Sequence, residues 1–188
     1  IRSNDSVQRA FEQALQATGH VDWLVNSTSL SIFGDPLALE DDDWSAVLDT
    51  KLLGYVRTTR VVIRHLLETE RAGAIVNISG RGGRQPKAVH LPGGAANAAV
   101  NLLTKGFADA YGARGIRVNA VAPGPIDSSR LAELDAVLAA NPRVDTSGRE
   151  PTGRPENIAS AVAYLLSDEA AFINGTVLAV DGGSLKAV

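Results

Sequence analysis

The chain has 188 residues, a length that suits one domain. It is 45% hydrophobic and 21% charged with a net charge of −3, which gives no reason to expect a nucleic-acid partner or an acidic substrate. Cysteine is absent, which removes disulfides, a thiol nucleophile and a cysteine metal site and fits a reducing cytoplasm; no apolar run approaches a membrane span, and the histidines at 20, 65 and 90 lack metal-ligand spacing.

Val7 to Thr18 reads as a helix, because Val7, Ala10, Phe11, Ala14 and Leu15 form an apolar stripe. Asp5 or Ser6 is the expected N-cap, and Gly19 the residue just past the end. Val21 to Asn26 reads as a buried strand, since Trp23, Leu24 and Val25 run together. The acidic run Glu40 to Asp43 is placed at a helix entry, where carboxylates are favoured, rather than at a metal. Trp44 to Leu67 reads as one long helix with a wide apolar face, and Gly54 permits close packing on it. Gly73 to Ser79 is a strand. Arg81 to Arg84 follows as a flexible basic loop; its two arginines could hold an anionic substrate near a pocket, but solvated arginines are the expectation.

Gly93 and Gly94 open the next helix, with Val100, Leu103, Phe107 and Tyr111 on one face. Ala95, Ala96, Ala98 and Ala99 make its early turns thin enough for another backbone to pack closely. Gly115 stands where a positive φ is wanted. Ile116, Val118, Ala120 and Val121 then read as a short buried strand, stopped by Pro123 and Gly124. The loop after such a strand is where open α/β sheets bind ligands. Ser128 to Ala140 reads as a helix, 141–155 as a loop, Pro155 to Leu166 as a helix with proline in its first turn, and Thr176 to Asp181 as the closing strand.

The strand-loop IRVNAVAPGPIDS, the helix before it and the terminal GTVLAVDGG resemble the short-chain dehydrogenase/reductase family, and the likeness extends over nearly all of the chain. The resemblance implies an α/β fold, a Rossmann-like doubly wound parallel sheet in three layers, with residues 1–188 a single partial domain. Ile1 to Gln8 resembles the segment after the family's third strand, so the first strands and the Gly-rich turn are expected to lie outside these residues.

The resemblance also implies hydride transfer between NAD or NADP and a small carbonyl or alcohol. In the family a tyrosine donates the proton, a lysine steadies it and holds the cofactor ribose, a serine polarises the carbonyl, and an asparagine supports a proton path. The matched positions here are Gly93, Asn97, Gly80 and Lys51, and all four differ. Ser79 is one residue early and so faces the other way, which makes it a strand-end hydroxyl bonding backbone. His90, three residues before Gly93, could act with Lys51 as a substitute pair. Cofactor contacts carried over are Asn26, Pro123, Gly124, Ile126 and Ser128, although Asn26-Ser27-Thr28-Ser29 replaces the family's Asn-Asn-Ala-Gly, and Asn26 could equally satisfy backbone groups at the strand end. The helices holding Lys51 and Gly93 pack across subunit interfaces in the family, which implies a homodimer or homotetramer. Two functions follow: a cytoplasmic oxidoreductase with altered catalytic groups, or a non-catalytic nucleotide-binding or oligomeric scaffold.

Overall fold

The structure is a computed structural model that describes residues 1–140 and 151–186. Four strands, β1 (Trp23–Asn26), β2 (Gly73–Ile78), β3 (Ile116–Pro123) and β4 (Val177–Val180), form one sheet in the order β1-β2-β3-β4. Every pairing is parallel, with Leu24 opposite Ile75 and Ile75 opposite Val118. Parallel neighbours require crossovers, and helices supply them. On one face α1 (Asn4–Thr18), α3 (Gly54–Glu68) and α4 (Leu91–Tyr111) bury Val62, Ile63, Leu66 and Ala108 against Ile75, Ile116 and Val118. On the other, α6 (Pro155–Leu166) sets Leu165 against Val76 and Val121. Helices on both faces of a parallel sheet make the three-layer, doubly wound arrangement that the resemblance implies. Among the described residues no helix is long and apolar enough to cross a membrane.

Local chemistry sets the element ends. Ser3, not Asp5 or Ser6, caps α1 by accepting from Ser6 N, and Gly19 closes it at φ 77°. Gly115 turns the chain into β3 at φ 76°. The acidic Asp41, Asp42 and Asp43 fill the first turn of α2 (Asp41–Val47), as their charge predicts.

Several expectations are corrected. The predicted helix over 44–67 is three pieces: α2, a π-helical segment Leu48–Leu53, and α3. The wider π turn inserts an offset that buries Thr50 and Lys51 while leaving Leu53 half-exposed. Among the described residues β1 pairs with β2 alone, and Trp23 and Val25 are 62% and 42% exposed. The helix α4 starts at Leu91, with Pro92 in its first turn, and Gly93 and Gly94 lie inside it. Arg81 to Gly83 is not a loose loop but a 3₁₀ turn packed on the thin opening of α4; a Cβ at Gly83 would stand 2.9 Å from Ala98 N. Arg81 is buried there, and its Nη1 donates to Ser184 O at 3.3 Å. The expected loop over 141–155 lies outside the described residues up to 150; beyond it, Gly153 bridges to Ile126.

Candidate active site

A cavity of about 340 Å³ opens at the carboxyl ends of β1, β2 and β3, between the first turns of α4 and α5 (Ser129–Ala139). This is the end of a parallel sheet at which ligands are held. The four family positions, Lys51, Gly80, Gly93 and Asn97, all line it, and so do Ser79 and His90. Pro123, Gly124, Ile126 and Ser128 line it as well. Gly124 is pressed on the end of β4: a Cβ there would lie 2.8 Å from Asp181 Cα.

The two glycines do not leave holes. A Cβ on Gly93 would collide with the imidazole of His90, so that ring fills the space beside the tyrosine position. A Cβ on Gly80 would come within 2.8 Å of Asn97 Nδ2, so the asparagine fills the space beside the serine position. Each of these glycines thus has a neighbouring side chain packed against it, as a close-packed interior requires.

Lys51 reaches the cavity from the π segment. It is 5% exposed, and its Nζ donates to Ser79 O at 2.9 Å. Burial, followed by repulsion from Arg130, pulls its pKa down to about 7. His90 is held at about 4, by burial first and then by Arg130, Lys51 and Lys87. At neutral pH it is therefore uncharged. Its Nε2 lies 3.0 Å from Arg130 Nη2, and a guanidinium can only donate, so His90 accepts there and carries its proton on Nδ1. Ser79 behaves as a strand-end hydroxyl, donating to Val121 O at 3.3 Å. Tyr55 also lines the cavity, but burial pushes its phenol up and its hydroxyl is bonded to Thr28 O and Ile78 O, so it is no replacement for the family tyrosine.

Asn26 does not line the cavity. Its Nδ2 donates to Asn77 Oδ1 at 2.9 Å and to Thr59 Oγ1, and its Oδ1 accepts from Thr58 Oγ1 at 2.7 Å. Asn77 continues the chain by donating to Thr104 Oγ1. Asn26 therefore ties β1 to β2 and α3. The Ser128 hydroxyl is engaged too: it donates to Ile126 O and caps α5 by accepting from Leu131 N.

Arg130 escaped sequence reasoning. It projects from α5 to donate to Leu30 O at 2.7 Å, to Ser31 Oγ at 3.2 Å and to His90, with its guanidinium 5.0 Å from the Phe33 ring centroid. Partners 40 to 100 residues away carry no local signal.

The family model for enoyl-(acyl carrier protein) reductase matches residues 1–184. A 3beta-hydroxysteroid dehydrogenase of Eggerthella lenta is 35% identical over 187 residues, covering 97% of this chain and 70% of that protein. The chain belongs to the short-chain dehydrogenase/reductase family. Among solved structures, a short-chain dehydrogenase from Mycobacterium paratuberculosis bound to NAD superposes with a TM-score of 0.89 at 25% identity, over 98% of this chain and 72% of that one. ElxO with NADP bound gives 0.83 at 27%, over 98% and 75%. The family is one of NAD(P)-dependent oxidoreductases, and NAD or NADP is the cofactor this kinship assigns. One feature of the cavity fits the nicotinamide-ribose end of such a molecule: Asn97 Oδ1 is buried without a hydrogen-bond partner and can accept from a sugar hydroxyl.

Proposed function

We propose that this protein is an NAD(P)-dependent oxidoreductase acting on a small carbonyl or alcohol, with Lys51 as the proton-transfer group in place of the family's tyrosine. The observation that carries this is a buried amine, lining the cavity at a family catalytic position, with its pKa drawn to about 7. A group near neutrality both holds and releases a proton at working pH. A bound nicotinamide would supply or accept the hydride. Lys51 would hold a proton on Nζ, pass it to the substrate oxygen as that oxygen gains charge, and recover one from water. Ser79 O orients the amine, and neutral His90 can donate a hydrogen bond to the same oxygen from Nδ1. Asn97 would anchor the ribose without the charge of the family lysine.

The alternative is a non-catalytic, nucleotide-binding or oligomeric relative. The observation in its favour is that none of the four family catalytic side chains is present. Fluorescence titration with NADH and NADPH, followed by an absorbance screen against carbonyl compounds, separates the two. Turnover that collapses in Lys51→Met supports the oxidoreductase; binding without any turnover supports the scaffold. A homodimer or homotetramer and a cytoplasmic setting belong to the same proposal. The exposed side of α4 suits an oligomer: Leu102 is 76% exposed, and a Cβ at Gly106 would meet nothing within 4 Å.

A further inference from the structure

The cavity wall is cationic. Lys51, Arg81, Lys87 and Arg130 line it, and among the described residues no aspartate or glutamate does. Lys51 and Arg130 are the informative pair. The hydrogen bond of Lys51 ends on a carbonyl, and those of Arg130 end on a carbonyl, a hydroxyl and a neutral imidazole. The two cations repel each other. Arg130 also sits in the first turn of α5, the positive end of the helix, where a cation is disfavoured. The acid that eases it, Glu133, lies one turn along α5 and outside the cavity lining. The other titratable groups facing the pair, His90 and Tyr55, are uncharged at neutral pH.

Buried cations are ordinarily paired with anions, because desolvation without compensation is costly. Here the cost is met by a rigid mounting instead. Phe33 lies under the guanidinium, and three hydrogen bonds use three of the five N–H donors of Arg130, leaving two.

We propose that Arg130 and Lys51 form the recognition site for an oxyanion, a carboxylate or phosphate group carried by the substrate on the same small molecule as the reacting carbonyl. The carbonyl part rests on the oxidoreductase reading; the anion site is testable without turnover. An anion beside Lys51 favours its charged form. Binding therefore takes up a proton near pH 8, takes up almost none near pH 6, and weakens as pH rises through about 7.

Isothermal titration of the purified protein with succinate, inorganic phosphate and the neutral isostere succinamide, at pH 6 and pH 8 and with or without saturating NADH, tests this. The expected result is that an anion binds at least tenfold more tightly than succinamide, that Arg130→Gln weakens it at least tenfold, and that Arg130→Lys keeps it within several-fold. Lys51→Met should abolish the proton uptake at pH 8. Circular dichroism verifies that each variant is folded, and the wild-type comparison of succinate with succinamide stands without any variant. Preference between succinate and phosphate identifies the group. Equal binding of succinamide, no binding of either anion, or binding unchanged in Arg130→Gln overturns the proposal. So does displacement of the anion by NADH, which would assign these cations to the cofactor's own phosphates. Succinate binding with no carbonyl turned over would keep the anion site and remove the oxidoreductase reading.

Discussion

Arg117 and Arg130 are both partly buried arginines bonded largely to carbonyls, yet their surroundings differ in sign. Arg117, on β3, donates to Leu165 O, Leu166 O and Ser167 O, the last carbonyls of α6, so its charge meets the negative end of a helix. Asp168 adds to that balance. Arg130 meets the positive end of α5 and a second cation, Lys51. One arginine is a structural fastener with its compensation built in. The other faces a second cation across the cavity, and the acid that eases it, Glu133, lies outside the cavity lining. Charge that the protein satisfies internally marks architecture; charge that it mounts but does not satisfy marks a place for something else.

The largest effect expected of breaking this contrast is at Lys51. Replacement by Met should cut NAD(P)H-dependent carbonyl reduction at least ~100-fold, the usual scale for losing a general acid, while leaving NADH fluorescence binding in place. Steady-state rates check it. With a neutral carbonyl substrate the wild-type reduction rate should fall as pH rises above about 7, because the reaction needs the charged amine; a pH–rate profile flat from 6 to 9 would remove Lys51 from proton transfer.

The same amine should reveal itself in stability. Its folded pKa, about 7, lies below its unfolded value of 10.5, so between these limits the unfolded chain binds the proton and the folded one does not. Stability therefore rises with pH across that window, and the difference between wild type and Lys51→Met should shrink from pH 7 to pH 9. Urea melts at the two pH values measure it. Gly93→Ala should cost about 1–3 kcal/mol by driving into the His90 ring, and the cost should largely vanish in a His90→Ala background. Arg117→Ala should cost about 1–2 kcal/mol through the freed carbonyls of α6. An equal loss in Arg130→Ala would erase the contrast, since removing a cation that faces a second cation should cost less.

The backbone plan was legible wherever periodicity and turn chemistry agreed. The α4 stripe, Gly115 and the β3 run specified helix, left-handed turn and strand, and the observed elements follow them closely. The four positions that the flanking pattern matches to the family tetrad all line one cavity. What filled the emptied positions was not legible. That His90 leans over Gly93, and Asn97 over Gly80, depends on packing between segments that periodicity does not describe. The burial of Lys51 depends on a π-helical offset invisible to a 3.6-residue pattern. Arg81 looked solvated because its partner, Ser184, is over one hundred residues away.

The linked amides of Asn26 and Asn77, ending on Thr104, have one more implication. They act as pegs joining β1, β2 and α4. Sliding β1 by a single position would seat Val25 against Asn77 and strand hydrogen-bonding groups in hydrocarbon, so a shifted register is disfavoured. The mouth of the cleft, formed by loops that leave these strands, thereby inherits its alignment from a few uncharged side chains that never touch what enters it.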